Sequence, residues 1–146
     1  MDQCSMRRTR RNEATLCIEP SPMAVFAFED FIDSIDFLQP HERLHLRLAG
    51  EEILDNIIRY SELTEGSRVA LRASKRPDGP LLSFYFQSRC FGSFSSNWRD
   101  AQPLFDSASG RWRGIGMIMC KNLTLSMRFR HGDLADRVFL RFASDR

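Results

Sequence analysis

Between Pro22 and Ile58 the apolar residues of this chain recur every three or four positions, and beyond Gly66 they alternate with polar residues. A repeat near 3.6 suits a helix with one buried stripe, and a repeat of two suits a strand with one buried face. The chain therefore reads as helices followed by most of a sheet. Val25, Phe28, Ile32 and Ile35 form the first stripe, which ends at Phe37-Leu38-Gln39-Pro40. Pro40 opens a second helix whose stripe is Leu46, Ala49, Ile53 and Ile57, flanked by Leu54 and Ile58. Upstream, residues 13–19 mix β-branched and aliphatic residues and are closed off by Pro20 and Pro22, the pattern of a short strand.

Downstream, Val69, Leu71 and Ala73 alternate with Arg68, Arg72 and Ser74, and Leu82, Phe84 and Phe86 alternate with Ser83, Tyr85 and Gln87. The turn residues from Arg76 to Pro80 join the two runs into a hairpin. Residues 88–112 show no period and are rich in Ser, Gly and Arg, which predicts a long functional loop. A short helix over about 114–122 and strands over Thr124–Arg130 and Arg137–Phe142 complete the chain. The order β-α-α-β-β-loop-α-β-β predicts an α+β fold, an antiparallel sheet with helices packed on one face.

The 146 residues are enough for one domain, expected over 13–146, behind a basic tail at 1–12 expected to be disordered. Lys and Arg total 21 against 19 Asp and Glu. Four of the basic residues, Arg7, Arg8, Arg10 and Arg11, stand in that tail, so the body is close to neutral. A neutral body lacks the one-sided field of most nucleic-acid binders, and that class is not expected. No apolar run reaches the length of a membrane span, and no apolar segment follows the basic start, so a cytoplasmic protein that meets no membrane is expected. Cys4, Cys17, Cys90 and Cys120 are too scattered for a zinc ribbon or a disulfide framework.

Three motifs bear on chemistry. Glu52 and Asn56 stand one helical turn apart beside the apolar stripe of the second helix, where a carboxylate could orient a nucleophile and an amide oxygen could hold Mg²⁺. A solvated pair on a helix face is the plain alternative. Arg113-Gly114-Ile115-Gly116 opens the third helix, whose free N–H groups could cradle an anion, although a tight turn explains the glycines equally simply. His41-Glu42-Arg43-Leu44-His45 matches H-E-x-x-H, with Glu65 as a conceivable third ligand, and so raises a small zinc hydrolase as an alternative. Pro40 places that motif at a helix start, where surface histidines are the simpler reading. Phe91, Phe94, Trp98 and Phe105, interleaved with arginines in the long loop, suit either a protein interface or a folded lid.

The segment Leu48–Tyr60 resembles the N-box helix of the GHKL ATPase superfamily, in the branch of bacterial anti-sigma-factor serine kinases. Ala101–Phe105, Arg113–Met119 and Asn122-Leu123 are similar to that branch's lid and G2 box. The resemblance implies a Bergerat-type α/β sandwich that takes ATP and Mg²⁺. It implies Glu52 as general base, Asn56 as Mg²⁺ ligand, and Gly114 and Gly116 against the phosphates, with Arg113 beside them. Where the family carries D-x-G-x-G this chain has Ser88-Arg89-Cys90-Phe91-Gly92, so that only Gly92 is kept. Where the family has Gly-Thr in the last strand it has Ala135-Asp136-Arg137-Val138-Phe139, with no threonine. Both halves of adenine recognition are thus missing, at Ser88 and in the Asp136–Phe139 segment.

These features together predict an anti-sigma-like partner-switching regulator with an eroded ATP site, acting by protein binding. The alternative within the family is an active serine/threonine kinase that phosphorylates an antagonist. The implied partner is a sigma factor or an anti-sigma-factor antagonist. A homodimer, or partner binding, is expected through the first helix and the neighbouring sheet edge, because Phe26, Phe31 and Phe37 add apolar surface around the helix and Phe26 and Phe37 point away from the core stripe.

Overall fold

The computed structural model describes residues 7–89, 91–92, 95, 104–108, 110–113 and 115–144. Strands β1 (Arg7–Arg10) and β2 (Glu13–Ile18) lead into helices α1 (Ala24–Asp33) and α2 (Pro40–Tyr60). The hairpin β3 (Val69–Arg76) and β4 (Gly79–Phe86) follows, then a short ribbon of β5 (Leu104–Asp106) and β6 (Arg111–Arg113). Helix α3 (Ile115–Leu123) and strands β7 (Ser126–Arg130) and β8 (Asp136–Arg141) end the chain. The main sheet has six antiparallel strands in the order β1-β2-β3-β4-β8-β7. The fold is α+β, as the periodicities predict.

Alternation decides which face is buried. Leu16, Leu71, Phe84 and Val138 lie across β2, β3, β4 and β8 in register and are all buried, and the helices cover them. Phe28 of α1 meets Phe84 with ring centroids 6.5 Å apart. Gly50 of α2 lets the helix settle on this layer, because a Cβ there would stand 2.3 Å from the Phe28 ring and 2.9 Å from Leu82. The β3–β4 turn depends on Gly79, which has φ +130° and whose missing Cβ would collide with the carbonyl oxygen of Phe142.

The structure departs from the expectations at three places. Arg7–Arg10 pair with Glu13–Leu16 as an edge strand, since a two-residue turn returns this stretch onto β2. The expected disordered tail therefore gives up those four residues to the sheet. Helix α1 stops at Asp33, although Ile35 is buried in the turn that follows. The long stretch 88–112 contains β5, which pairs with β6. The remaining elements fall within two or three residues of their expected bounds.

The helical layer is tied to the sheet and to itself by ion pairs. Arg47 of α2 reaches Glu29 at 3.7 Å and Asp33 at 3.9 Å on α1, and Glu51 at 3.2 Å on its own helix. Arg43 donates to the carbonyls of Ile35 and Leu38 and holds the α1–α2 connection against α2. Glu42, with only 1% of its surface exposed, accepts from the Gln39 N–H at 2.8 Å and from Lys75 Nζ of β3 at 2.7 Å. Burial works to raise the Glu42 pKa, but the Lys75 ammonium and the Gln39 N–H outweigh it and hold the carboxyl below its ordinary value.

A depressed folded-state pKa stabilises the fold above the ordinary carboxylate range, and that stabilisation disappears as pH falls through the folded value. Glu42→Gln should cost about 1–3 kcal/mol at neutral pH, because it removes a charged hydrogen bond while the Lys75 ammonium, 28% exposed, stays hydrated. It should also flatten the loss of stability below about pH 4.5, the ordinary value for this group. Urea unfolding followed from pH 3 to pH 7 in both proteins checks the magnitude and the sign.

Candidate functional site

The second helix carries Glu52 and Asn56 on the edge that faces α3. Asn56 Nδ2 donates to the Glu52 backbone carbonyl at 2.7 Å and to Glu52 Oε1 at 3.0 Å, so the amide clamps the carboxylate one turn below it. The same nitrogen lies 3.9 Å from Met117 Sδ on α3. Gly116 lets the two helices meet here, because a Cβ on it would stand 2.2 Å from Glu52 Cδ and Oε1. Glu52 and Asn56, with Gly116 far along the chain from both, thus form one small polar seam between α2 and α3. Cys120, one turn beyond Gly116, donates to the Ala49 carbonyl at 3.5 Å. Burial, aided by the nearby Glu52 charge, pushes its thiol up to about 12.

A second polar cluster lies at the end of β4. Ser88 donates to Asp136 Oδ2 through its backbone N–H at 3.1 Å and its hydroxyl at 2.5 Å. His131 Nδ1 shares a 2.5 Å hydrogen bond with Asp136 Oδ1. The His131 ring stacks on Phe91 with centroids 5.7 Å apart. Asp136 is 1% exposed, and both of its oxygens are engaged by the chain's own groups. A cavity of about 390 Å³ adjoins this cluster, lined by Thr64, Gln87 and residues 131–136. The Ser88 hydroxyl and the Asp136 carboxylate thus meet where β4 and β8 run side by side. Sequence spacing could not pair them, because these strands neighbour each other only in the folded sheet.

The other motif residues disperse. Gly92 is exposed, and its carbonyl accepts from the Ser95 hydroxyl at 3.2 Å. Arg113 ends β6 opposite Leu104. Gly114, Cys90, Phe94, Trp98 and Ala101–Pro103 lie outside the described residues. In the H-E-x-x-H segment the His41 and His45 rings meet edge to face at 6.0 Å, as their position on the first turns of α2 requires. Glu42, however, is turned into the core toward Lys75 and caps the helix, which removes it from the role of an accessible base. Among the described residues no three His, Cys, Asp or Glu side chains gather in metal-binding proximity. Among these residues, too, no helix is long and apolar enough to cross a membrane.

Of the three aromatic residues expected to add apolar surface to α1, Phe26 is 58% exposed, whereas Phe31 is buried in the core and Phe37 packs partly against it. Phe37 lies beyond the end of α1, in the turn that Arg43 pins down, so helical geometry does not set its direction.

The α2–α3 seam makes a specific stability prediction. Gly116→Ala should cost about 1–3 kcal/mol by crowding the Glu52 carboxylate. In a Glu52→Ala background the same change should be neutral or stabilising, because alanine favours a helix over glycine by about 1 kcal/mol. A thermal-denaturation double-mutant cycle measures the coupling. Maleimide labelling at pH 8 followed by peptide mapping should modify the half-buried Cys17 well before Cys120, which can react only when the seam opens. The chain matches no known family model and no curated protein sequence.

Proposed function

We propose that this chain is a GHKL-type regulatory domain with an eroded nucleotide site that works in the cytoplasm by protein binding, as an anti-sigma-like partner switch. The observation that carries the reading is the Glu52 carboxylate lying on Gly116. It joins the residues that the family resemblance assigns to the general base and to the phosphate cradle, and Asn56 stands beside them. It also puts a negative charge where the phosphates of ATP would have to lie.

The adenine end argues in the same direction. The Asp136 carboxylate, the group able to accept from an adenine amine, already engages Ser88 and His131 beneath the surface. A bound nucleotide would have to displace those hydrogen bonds, and breaking one to a charged group costs about 1.5–3 kcal/mol. The residues present therefore fit ATP and Mg²⁺ poorly, and no phosphoryl-transfer step is assigned to them. The exposed apolar groups suit protein binding instead. Met23 and Phe26 stand one turn apart at the start of α1, and Leu44 and Leu48 one turn apart on α2, all solvent-exposed. We assign the dimer contact and the contact with a sigma factor or its antagonist to these helices.

Two measurements test this reading. Calorimetric titration with Mg-ATP and Mg-ADP should give no binding in the low-micromolar range. Low-micromolar affinity would favour the kinase alternative, in which Glu52→Ala should abolish phosphoryl transfer and leave affinity largely intact. Size-exclusion chromatography should show a complex with a sigma factor or an anti-sigma-factor antagonist of the source organism. Phe26→Ser should weaken that complex by about tenfold or more with little loss of stability. Failure of every such protein to bind would overturn the assignment.

A further inference from the structure

The near-neutral charge of the chain conceals a strong separation of sign between the two layers. The acidic groups Glu29, Asp30, Asp33, Glu51, Glu52 and Asp55 lie on α1 and α2. The sheet face turned away from the helices is arginine-rich. Arg137 pairs with Arg130 across β8 and β7, Phe139 with Arg128, and Arg141 with Ser126. Directly opposed residues share a face and Val138 and Leu140 are buried, so these side chains all belong to the open side. Arg76 at the end of β3 joins them around a shallow cavity of about 460 Å³.

Of these five exposed arginines, Arg141 pairs with Asp78, and the other four make no ion pair among the described residues. Tyr85 of β4 and Phe139 of β8 meet edge to face at 6.3 Å on the same face and are partly exposed. The basic residues of this chain are overwhelmingly arginine, with Lys75 and Lys121 as the lysines. Arginine is the side chain that binds phosphate through two parallel N–H groups and also stacks on planar rings.

We propose that the open face of the sheet binds single-stranded nucleic acid, with Tyr85 and Phe139 stacking on bases and Arg76, Arg128, Arg130 and Arg137 holding phosphates. The charge of the face selects a polyanion. The aromatic pair on it selects one that carries flat rings, which an acidic peptide does not offer. Arginines two apart on one strand stand about 7 Å from each other, and neighbouring strands add further rows about 5 Å away, so an extended backbone can meet several in succession. Double-stranded nucleic acid, with its bases already stacked, cannot use the aromatic pair. The inference is independent of the nucleotide-site reading, which concerns α2, α3 and the opposite face of the sheet.

Fluorescence anisotropy with the full chain and a labelled sixteen-nucleotide single strand of mixed sequence tests the proposal. Binding should be saturable at low salt and weaken steeply as salt rises, by the counterion release that phosphate contacts produce. Arg128→Glu and Arg137→Glu should each reduce affinity about tenfold or more. At about 0.15 M salt, where the screening length is about 8 Å, Arg59→Glu, the same charge change on the helical layer, should alter it less than about twofold. Phe139→Leu, which keeps apolar volume and so the fold, should still weaken binding about fivefold or more through lost stacking. Poly-glutamate of matched charge should bind at least tenfold more weakly than the oligonucleotide. No binding tighter than roughly 100 µM at low salt, the weak end of sequence-independent association, would overturn the proposal. So would poly-glutamate binding as tightly as the oligonucleotide, or an unchanged affinity in Phe139→Leu, either of which would assign the face to an acidic protein segment.

Discussion

Everything in this molecule follows from a sheet that is covered on one side. Two helices lie over the apolar alternates of β2, β3, β4 and β8, and no described helix covers the other alternates. Burial of the covered face is the dominant stabilising term, worth about 25 cal/mol for each Å² of apolar surface removed from water. The covering layer must also be anchored, and the anchors are polar. Glu42 bridges α2 to Lys75 on the sheet, and Arg47 bridges α2 to α1. A buried carboxylate in such a place is tolerated because an ammonium and a backbone N–H meet it there.

The same one-sidedness sorts the functional groups. The seam formed by Glu52, Asn56 and Gly116 belongs to the helical layer, where close approach of α2 and α3 leaves no space for a side chain on Gly116. The Ser88–Asp136–His131 cluster lies where β4 and β8 run out beside each other, with Asp136 on the covered side of its strand. The arginines of β7 and β8 occupy the alternates that the helices do not reach. Acidic helices and a basic sheet face give a nearly neutral chain a strong dipolar distribution of charge, and net charge alone carries no information about that.

The extent to which the site was legible differs from residue to residue. Glu52 and Asn56 could be paired from sequence because a helix brings positions four apart together. Their meeting with Gly116 needed the packing of two helices far apart in the chain, and only the family resemblance hinted at it. Asp136 carries no pairing signal in the sequence. In the fold its carboxylate meets Ser88 and His131, since β4 and β8 are neighbours in the sheet but distant in sequence. Glu42 reads as a zinc-site base because H-E-x-x-H is a spacing rule, and spacing does not show that the carboxylate turns inward to a lysine more than thirty residues away.

The sequence by itself determined the type and order of the three helices and of β2, β3, β4, β7 and β8, and the face that the β3–β4 hairpin buries, because periods of 3.6 and two are local consequences of backbone geometry. It also determined the turn at Gly79 and the helix start at Pro40, where single residues dictate the backbone. Only the tertiary structure decided that Arg7–Arg10 complete the sheet edge, that Glu52 lies on Gly116, and that arginines from β3, β7 and β8 gather on one surface. Each of these depends on which strands and helices become neighbours, and that choice is made by long-range burial of apolar surface, which no local pattern encodes.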